Sequence, residues 1–222
     1  MTRLLVLAEG DTEELFVREI LAPHLANFGV YARATGVVSK RLASGKKITG
    51  GNRWSNVRNS LNPLLQASDA WVTTLLDYYG LPDDFPGFGN GYALTGTAAA
   101  HLNTIESALA EAMNHSPRFI PFLVLHEFEA WYFVRPNQVA AYYGQENIAQ
   151  LMQDASDGAG GPEAINHGKE THPSKRLEGY GVGFRKTTAV ALLKEIGIPA
   201  IRAACPHFSV WLDRLEALGQ AA

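Results

Sequence analysis

The sequence predicts an α/β protein with a mostly parallel sheet flanked by helices and a helical C-terminal part. Three short apolar runs, at residues 3–8, 70–76 and 119–125, are each followed by acidic residues. Segments with helical spacing separate these runs, and this alternation is typical of parallel α/β sheets. Because open α/β sheets bind ligands at the carboxyl ends of their strands, the acids at these ends indicate a functional edge.

Size and composition favour an ordinary globular protein. The chain has 222 residues, with 46% hydrophobic and 18% charged, which predicts an α/β core over residues 1–135 and a mainly helical extension over 136–222 that completes the same domain. A net charge of −3 excludes a generally basic nucleic-acid binder, so any basic surface must be local.

Cysteine content and the lack of long apolar segments predict a cytoplasmic protein with no membrane partner. The single cysteine, Cys205, excludes an internal disulfide, fits a reducing compartment and is interpreted as a small buried apolar residue. No apolar segment approaches the roughly 20 residues that cross a bilayer, and the N-terminus lacks the apolar region of a signal peptide.

The first half of the chain is predicted to alternate strands with helices. After the first strand, Asp11 or Thr12 can cap a helix that ends at about Phe28, before Gly29. The remaining elements are a strand at 31–38, a loop at 39–52, a helix at 53–66, a strand at 70–76, an irregular segment at 79–91, a helix at 97–113 and a strand at 119–125.

The second half is predicted to be mainly helical. The Gly- and Asp-rich stretch 157–161 is the best candidate for an internal boundary. The predicted elements are helices at 136–143, 147–154, 187–195 and 208–218, with a final strand at 198–202.

Five carboxylates are expected to meet at the carboxyl edge of the sheet. Glu9 and Asp77 follow two of the strands, Glu127 and Glu129 follow a third, and Glu13 lies one helical turn beyond Glu9. Like charges this close require a counter-charge, and Mg²⁺ or Mn²⁺ prefers oxygen ligands. The predicted metal ligands are therefore Glu9, Asp77, Glu127 and Glu129, and the predicted chemistry is phosphodiester cleavage by activated water.

Structural interpretations of the same acids remain open. Glu9 and Asp77 can cap helices or solvate loops, and an acid such as Glu13 is favourable in any first helical turn. Glu127 is preferred over Glu129, because the apolar neighbours of the pair suggest that one acid points inward and the other flanks it.

Basic residues cluster in two Gly-containing segments, residues 40–58 and 169–186, that are candidates for contact with phosphates. Lys175 or Lys186 is predicted to neutralise charge on a scissile phosphate, and Glu13 to orient water or a second ion. The predicted nucleic-acid-binding residues are Lys40, Arg41, Lys46, Lys47, Arg176 and Arg185. Solvated loops with no partner are the alternative.

Several short motifs resemble a known family. Glu9-Gly10-x-Thr12-Glu13 after an apolar strand, together with an Asp-ended central strand, resembles the Toprim domain of topoisomerases, primases and the overcoming-lysogenization-defect (OLD) nucleases. More closely, the chain resembles a bacterial Toprim-like family catalogued as domain of unknown function 4276. The matching stretches are Asp77-Tyr78-Tyr79-Gly80-Leu81-Pro82, His126-Glu127-Phe128-Glu129-Ala130-Trp131, Pro173-Ser174-Lys175-Arg176-Leu177 and Cys205-Pro206-His207-Phe208-x-x-Trp211.

The resemblance implies a Rossmann-like Toprim fold and a metal-dependent site. Glu9 matches the first-strand glutamate, and Asp77 matches the first acid of an Asp-x-Asp motif. Tyr79 stands where the second aspartate is expected, which removes one ligand unless Glu127 or Glu129 replaces it. The resemblance also implies an ATPase partner, because relatives often lie near ATPase genes in phage-defence clusters. Self-association into a homo-oligomer is left open.

These observations lead to one main functional hypothesis and two alternatives. The main hypothesis is a Mg²⁺- or Mn²⁺-dependent phosphodiesterase or endonuclease that acts on DNA or RNA in bacterial phage defence. The first alternative is a non-catalytic or partner-activated Toprim-like binding subunit, suggested by the missing second aspartate. The second is phosphoryl transfer or hydrolysis on a small phosphorylated substrate.

Overall fold

The computed structural model describes residues 1–41, 47–67, 69–89, 98–165, 168, 170–183 and 186–220. Two predicted site residues, Lys46 and Arg185, lie outside this range. For Arg41, Lys47 and Lys186 only the backbone is described.

A parallel sheet forms the centre of the molecule. The strands of the protein are β1 (Thr2–Ala8), β2 (Val30–Gly36), β3 (Val38–Arg41), β4 (Lys47–Thr49), β5 (Ala70–Asp77), β6 (Phe119–Ile120) and β7 (Leu123–Val124). The strand order of the central sheet is β2-β1-β5-β6, β7 also pairs with β5, and each of these pairings is parallel. Strands β3 and β4 form a separate antiparallel hairpin. Pro121, which cannot donate a ladder hydrogen bond, lies between β6 and β7.

Helices follow the strands and fill the C-terminal part, which confirms the predicted fold class. They are α1 (Asp11–Phe16), α2 (Ala22–Ala26), α3 (Trp54–Leu65), α4 (Ala98–Ala112), α5 (Pro136–Tyr143), α6 (Asn147–Ala159), α7 (Pro173–Gly179), α8 (Lys186–Ile196), α9 (Ile198–Ala204) and α10 (Pro206–Ala217). A π-helical turn, Val17–Leu21, joins α1 to α2, and 3₁₀ segments occupy Phe128–Val134 and Pro162–Ala164. Within the described ranges, no helix has both the length and the apolar character to cross a bilayer.

Two hydrophobic clusters cover the two faces of the sheet. Side chains alternate along β1, so Leu4 and Val6 pack with the C-terminal helices while Leu7 packs with α3 and α4. Residues on both sides of 157–161 share the first cluster. Cys205 is fully buried in it, as the sequence predicts.

Three predicted local features are wrong. The predicted strand at 198–202 is helix α9, where Pro199 occupies the first turn, a position that suits proline. The predicted loop at 39–52 contains β3 and β4. The cap of α1 is Gly10 rather than Asp11 or Thr12, and Asp11 is already helical.

Candidate functional site

Hydrogen bonds tie the acidic strand ends to one another. The backbone N–H of Glu9 donates to the carbonyl oxygen of Leu75, at 3.0 Å. The backbone N–H of Asp77 donates to Oε2 of Glu9, also at 3.0 Å. The backbone N–H of Phe128 then donates to Oδ1 of Asp77, at 3.0 Å. Each acid therefore contacts the next strand end, and the carboxyl edge carries a connected acidic site.

The five predicted carboxylates act on one another electrostatically. Burial raises the pKa of Glu9 to about 7, the Asp77 amide opposes this, and the charges of Glu13 and Glu127 add to it. Burial and then the Glu9 carboxylate raise the pKa of Asp77 well above its ordinary value. Burial and then Glu127 raise the pKa of Glu129 to about 7. The structure thus brings Glu9, Glu13, Asp77, Glu127 and Glu129 together.

Glu13 fixes the start of the first helix beside Glu9. Its Oε2 accepts a 2.9 Å hydrogen bond from the backbone N–H of Gly10, the N-cap residue. An acid in this position satisfies a free amide of the first turn and interacts favourably with the helix dipole. The same contact holds the Glu9-Gly10 turn against α1.

Glu127 is buried and holds the start of α7. Its Oε2 accepts from the backbone N–H of Ser174 at 2.8 Å and lies 3.1 Å from Nδ1 of His172. Its Oε1 accepts from the Ser174 hydroxyl at 3.2 Å. Both oxygens are therefore engaged by the His172-Pro173-Ser174 turn. Pro173 and Ser174 belong to a motif visible in the sequence, but no local pattern in the sequence pairs this turn with Glu127.

The contacts of His172 do not form the relay of a serine hydrolase. Oγ of Ser174 lies 3.1 Å from Nδ1 of His172, the same ring nitrogen that faces Glu127. A catalytic triad requires the serine and the acid to occupy different ring nitrogens. The contacts among Glu127, His172 and Ser174 therefore position the start of α7 and do not form a catalytic relay.

Tyr79, at the position of the missing aspartate, faces the same cluster. Its ring stacks on His172, with centroids 4.5 Å apart and planes 23° apart. Its backbone N–H donates to the carbonyl oxygen of His126 at 2.7 Å. His126 itself has a left-handed φ of 64° and lies with its ring against Tyr78. This residue turns the chain from β7 toward Glu127.

The first basic segment lies next to Glu9. The amide of Val37 donates to the carbonyl oxygen of Ala8 at 2.9 Å, and Thr49 Oγ1 donates to Oδ1 of Asp11 at 3.1 Å. These bonds fix the β3–β4 hairpin against the start of α1. Lys40 is exposed on β3, and the backbones of Arg41 and Lys47 end and begin the two hairpin strands.

The second basic segment is carried by α7 and α8. Lys175 follows the Glu127-bound Ser174 and pairs with Glu178 at 2.5 Å on the surface. Nε of Arg176 donates to the carbonyl oxygen of Thr171 at 2.6 Å, so part of its guanidinium supports the turn. The backbone of Lys186 begins α8, which packs against α1.

The donor chemistry of the acidic cluster fits a hard divalent cation. The ionised forms of these partly buried carboxylates, whose pKa values are raised, would be stabilised by a cation, and carboxylate oxygens are the ligands that Mg²⁺ and Mn²⁺ prefer. As they stand, no three His, Cys, Asp or Glu side chains of the described residues form a ready-made ligand set. Cation binding would therefore require some of these side chains to reorient.

Comparison with known proteins finds a matching family model and a similar solved structure. A family model described as a domain of unknown function (DUF4276) matches residues 8–216, which include every acid of the cluster. No curated protein is significantly similar to the chain. Among solved structures, the C-terminal region of the Burkholderia pseudomallei OLD protein is similar over 99% of both chains, with 14% identity and a TM-score of 0.46.

Proposed function

The chain belongs to the DUF4276 family, which confirms the resemblance seen in its motifs, and we propose that it is a Toprim-like, divalent-metal-dependent phosphodiesterase that cleaves nucleic acid. The observation that carries this proposal is the linked set of partly buried acids at the carboxyl edge, with hydrogen bonds from Asp77 to Glu9 and from Phe128 to Asp77. Acids whose pKa values are raised by burial and, to a smaller extent, by neighbouring charges are characteristic of functional sites.

Glu9, Asp77 and the Glu127/Glu129 pair would hold the cation, which is Mg²⁺ or Mn²⁺ in this proposal. Both oxygens of Glu127 already bind the α7 turn. Glu129 accepts no hydrogen bond from another residue in the described part of the chain, and its pKa is raised to about 7. Glu129 is therefore the better ligand of the pair, and Glu127 acts chiefly by positioning α7.

The remaining side chains would bind and orient the substrate. When bound, the cation supplies charge stabilisation at the phosphate and lowers the pKa of water. Glu13 keeps the Glu9 turn in place and would orient water. The Glu127-bound Ser174 sets the start of α7, from which Lys175 can reach a scissile phosphate. Lys186, at the start of α8, is the second candidate for this role.

A cleavage assay tests the proposal. Purified protein is incubated with single- and double-stranded DNA and RNA in Mn²⁺, in Mg²⁺ and in EDTA. We expect metal-dependent cleavage that falls by at least about 100-fold in Glu9→Gln and in Asp77→Asn, the scale of losing a key electrostatic group. Glu111→Gln, an exposed acid on α4, is the matched control. Full cleavage by folded Glu9→Gln contradicts the site assignment.

A partner-activated binding subunit is the second candidate. Two observations favour it. Tyr79 stands where an acid is expected, and its ring stacks on His172. Among the described residues, no three His, Cys, Asp or Glu side chains are arranged to hold a metal ion. Calorimetric titration with Mn²⁺ separates the candidates. Micromolar binding that is lost in Asp77→Asn supports the enzyme, whereas a folded protein that binds no Mn²⁺ supports the binding subunit.

The biological setting is proposed from the family resemblance. It is bacterial phage defence together with an ATPase partner, and co-purification with the product of a neighbouring ATPase gene tests it. A third activity is distinguished by the same cleavage assay. Hydrolysis of a nucleotide without cleavage of any polynucleotide indicates a small phosphorylated substrate.

A further inference from the structure

A cleft of mixed polar and apolar lining lies beside the acidic site, between the sheet edge and α3. Its volume is about 280 Å³, and none of its lining residues belongs to the acidic cluster. This is just below the roughly 300–1,000 Å³ typical of small-molecule sites. Its lining includes Gly36, Lys40, Asn59, Ser60, Pro63 and Leu64.

The register of the sheet places the cleft next to Glu9. Gly36 at the end of β2 pairs with Ala8, the residue before Glu9. Neighbouring strands lie about 4.8 Å apart, so the cleft opens one strand away from the first acid. A Cβ on Gly36 would lie 2.4 Å from Oε1 of Glu14 and 2.8 Å from Cβ of Thr49. Glycine here lets the hairpin close against α1 and form the cleft wall.

The chemistry of the lining combines apolar surface, an amide, hydroxyl groups and one cation. Pro63 and Leu64 provide apolar contact, and the exposed Asn59 amide offers both a donor and an acceptor. The hydroxyl oxygen of Ser60 accepts a 3.1 Å hydrogen bond from the amide of Val38, which fixes α3 against the hairpin. Lys40 is exposed at the same cleft and can meet a phosphate.

We propose that this cleft binds one unstacked nucleotide of a single-stranded nucleic acid. The base would lie on Pro63 and Leu64 with its edge at Asn59, and Lys40 would meet the adjoining phosphate. A base can enter such a cleft only when it is unpaired, because a duplex keeps its bases stacked and their pairing edges occupied. The inference rests on the proposed function and adds the substrate class: single strands in preference to duplexes.

Binding in the absence of catalysis tests the inference. Fluorescence anisotropy is measured in EDTA with a labelled single-stranded oligodeoxynucleotide, its RNA counterpart and the corresponding duplex. We expect both single strands to bind more tightly than the duplex. Asn59→Leu should weaken single-strand binding by about tenfold, the scale of losing one base contact. Lys40→Ala should weaken it and reduce the salt dependence by about one phosphate contact.

Two matched control variants test whether a loss of affinity is specific to residues of the cleft. Asn62→Leu on α3 and Lys194→Ala on α8 change exposed residues outside the cleft and should bind like the wild type. Circular dichroism melting confirms that each variant folds. Equal affinity of Asn59→Leu and wild type, equal losses in the controls, tighter binding of the duplex, or no binding by the wild type each overturns the inference.

The two proposals fail in different ways. If Glu9→Gln cleaves normally while Asn59→Leu loses single-strand affinity, the acidic site is wrong and the cleft stands. If Glu9→Gln abolishes cleavage while the cleft variants bind and cleave like the wild type, the cleft is wrong and the acidic site stands.

Discussion

Tyr79 stacks on His172, with the two ring centroids 4.5 Å apart. Nδ1 of His172 lies 3.1 Å from Oε2 of Glu127. Contacts therefore run from the loop after β5 through His172 to the acid after β7. The tyrosine that replaces the expected aspartate is thus part of the support that holds α7 at the acidic edge.

Changing Tyr79 should separate this supporting role from metal binding. Tyr79→Leu removes the stacked ring and should lower the free energy of unfolding by about 0.5–1.5 kcal/mol beyond the loss of buried area, whereas Tyr79→Phe keeps the ring. Urea unfolding measures the difference. Equal stability of the two variants would show that the stacking contributes nothing.

Restoring an aspartate at this position should not restore a stable site. Tyr79→Asp removes the ring and adds a charge near carboxylates whose pKa values are already raised. We expect a greater loss of stability than in Tyr79→Leu, and a larger loss at pH 8 than at pH 5. Thermal melting at both pH values in EDTA is the measurement, and a Tyr79→Asp variant that melts above wild type would refute the expectation.

Removing the charge of Glu127 should release the start of α7. Glu127→Gln has one acceptor oxygen where the wild type engages two, which leaves a buried group unsatisfied and should cost about 1–3 kcal/mol. Hydrogen exchange at the Ser174 amide should become faster. Glu178→Gln is the control, because Glu178 is exposed on the same helix. Unchanged exchange at Ser174 in Glu127→Gln would argue against the docking role.

Stability without a divalent cation should depend on pH in a defined direction. The pKa values of Glu9 and Glu129 rise from 4.5 to about 7 on folding, so the folded state binds their protons more tightly than the unfolded state. The contribution of these two groups to stability is therefore greatest below about pH 4.5 and declines as the pH rises to about 7. Urea unfolding across this range in EDTA measures the decline.

Two additions to that experiment identify the groups responsible. Saturating Mn²⁺ should recover stability at pH 8, because binding to the folded state alone shifts the equilibrium toward it. Glu9→Gln should flatten the pH dependence, since the titrating group is removed. A slope that is identical in Glu9→Gln and wild type would exclude Glu9 as a source.

Glu163 should stabilise α10 independently of the acidic site. Its buried carboxylate accepts from the backbone N–H groups of His207 at 2.8 Å and Phe208 at 2.9 Å, in the first turn of α10. Glu163→Ala leaves both amides without this acceptor and should cost about 1–3 kcal/mol in chemical unfolding. Glu195→Ala on the exposed face of α8 should change stability little. Similar losses in both variants would contradict this role.

Local patterns were sufficient to predict most elements of the fold. The helix Pro136–Tyr143 has the predicted bounds, because proline suits the first helical position and Gly144 ends the helix with a left-handed φ of 64°. The segment 198–202 is helical where the sequence predicts a strand, because a short apolar segment cannot be distinguished as strand or helix by periodicity alone.

The acidic site was predictable only in part. Parallel strands bring their carboxyl ends to one edge, so the meeting of Glu9, Asp77 and Glu127 follows from the order of elements. The engagement of Glu127 by His172 and Ser174 joins positions about 45 residues apart. No local pattern encodes that contact, because it depends on how α7 packs against the sheet.

The β3–β4 hairpin is joined to the sheet at an outer edge. It follows β2, the outermost strand on that side, and Val37 is its main fully buried apolar anchor among the described residues. Loops outside a core tolerate changes of length and sequence, because few buried contacts are lost and closure entropy grows slowly with length. Changes in this hairpin therefore leave Glu9, after β1, and Asp77, at the end of β5, in place, so the hairpin and the acidic edge can vary independently.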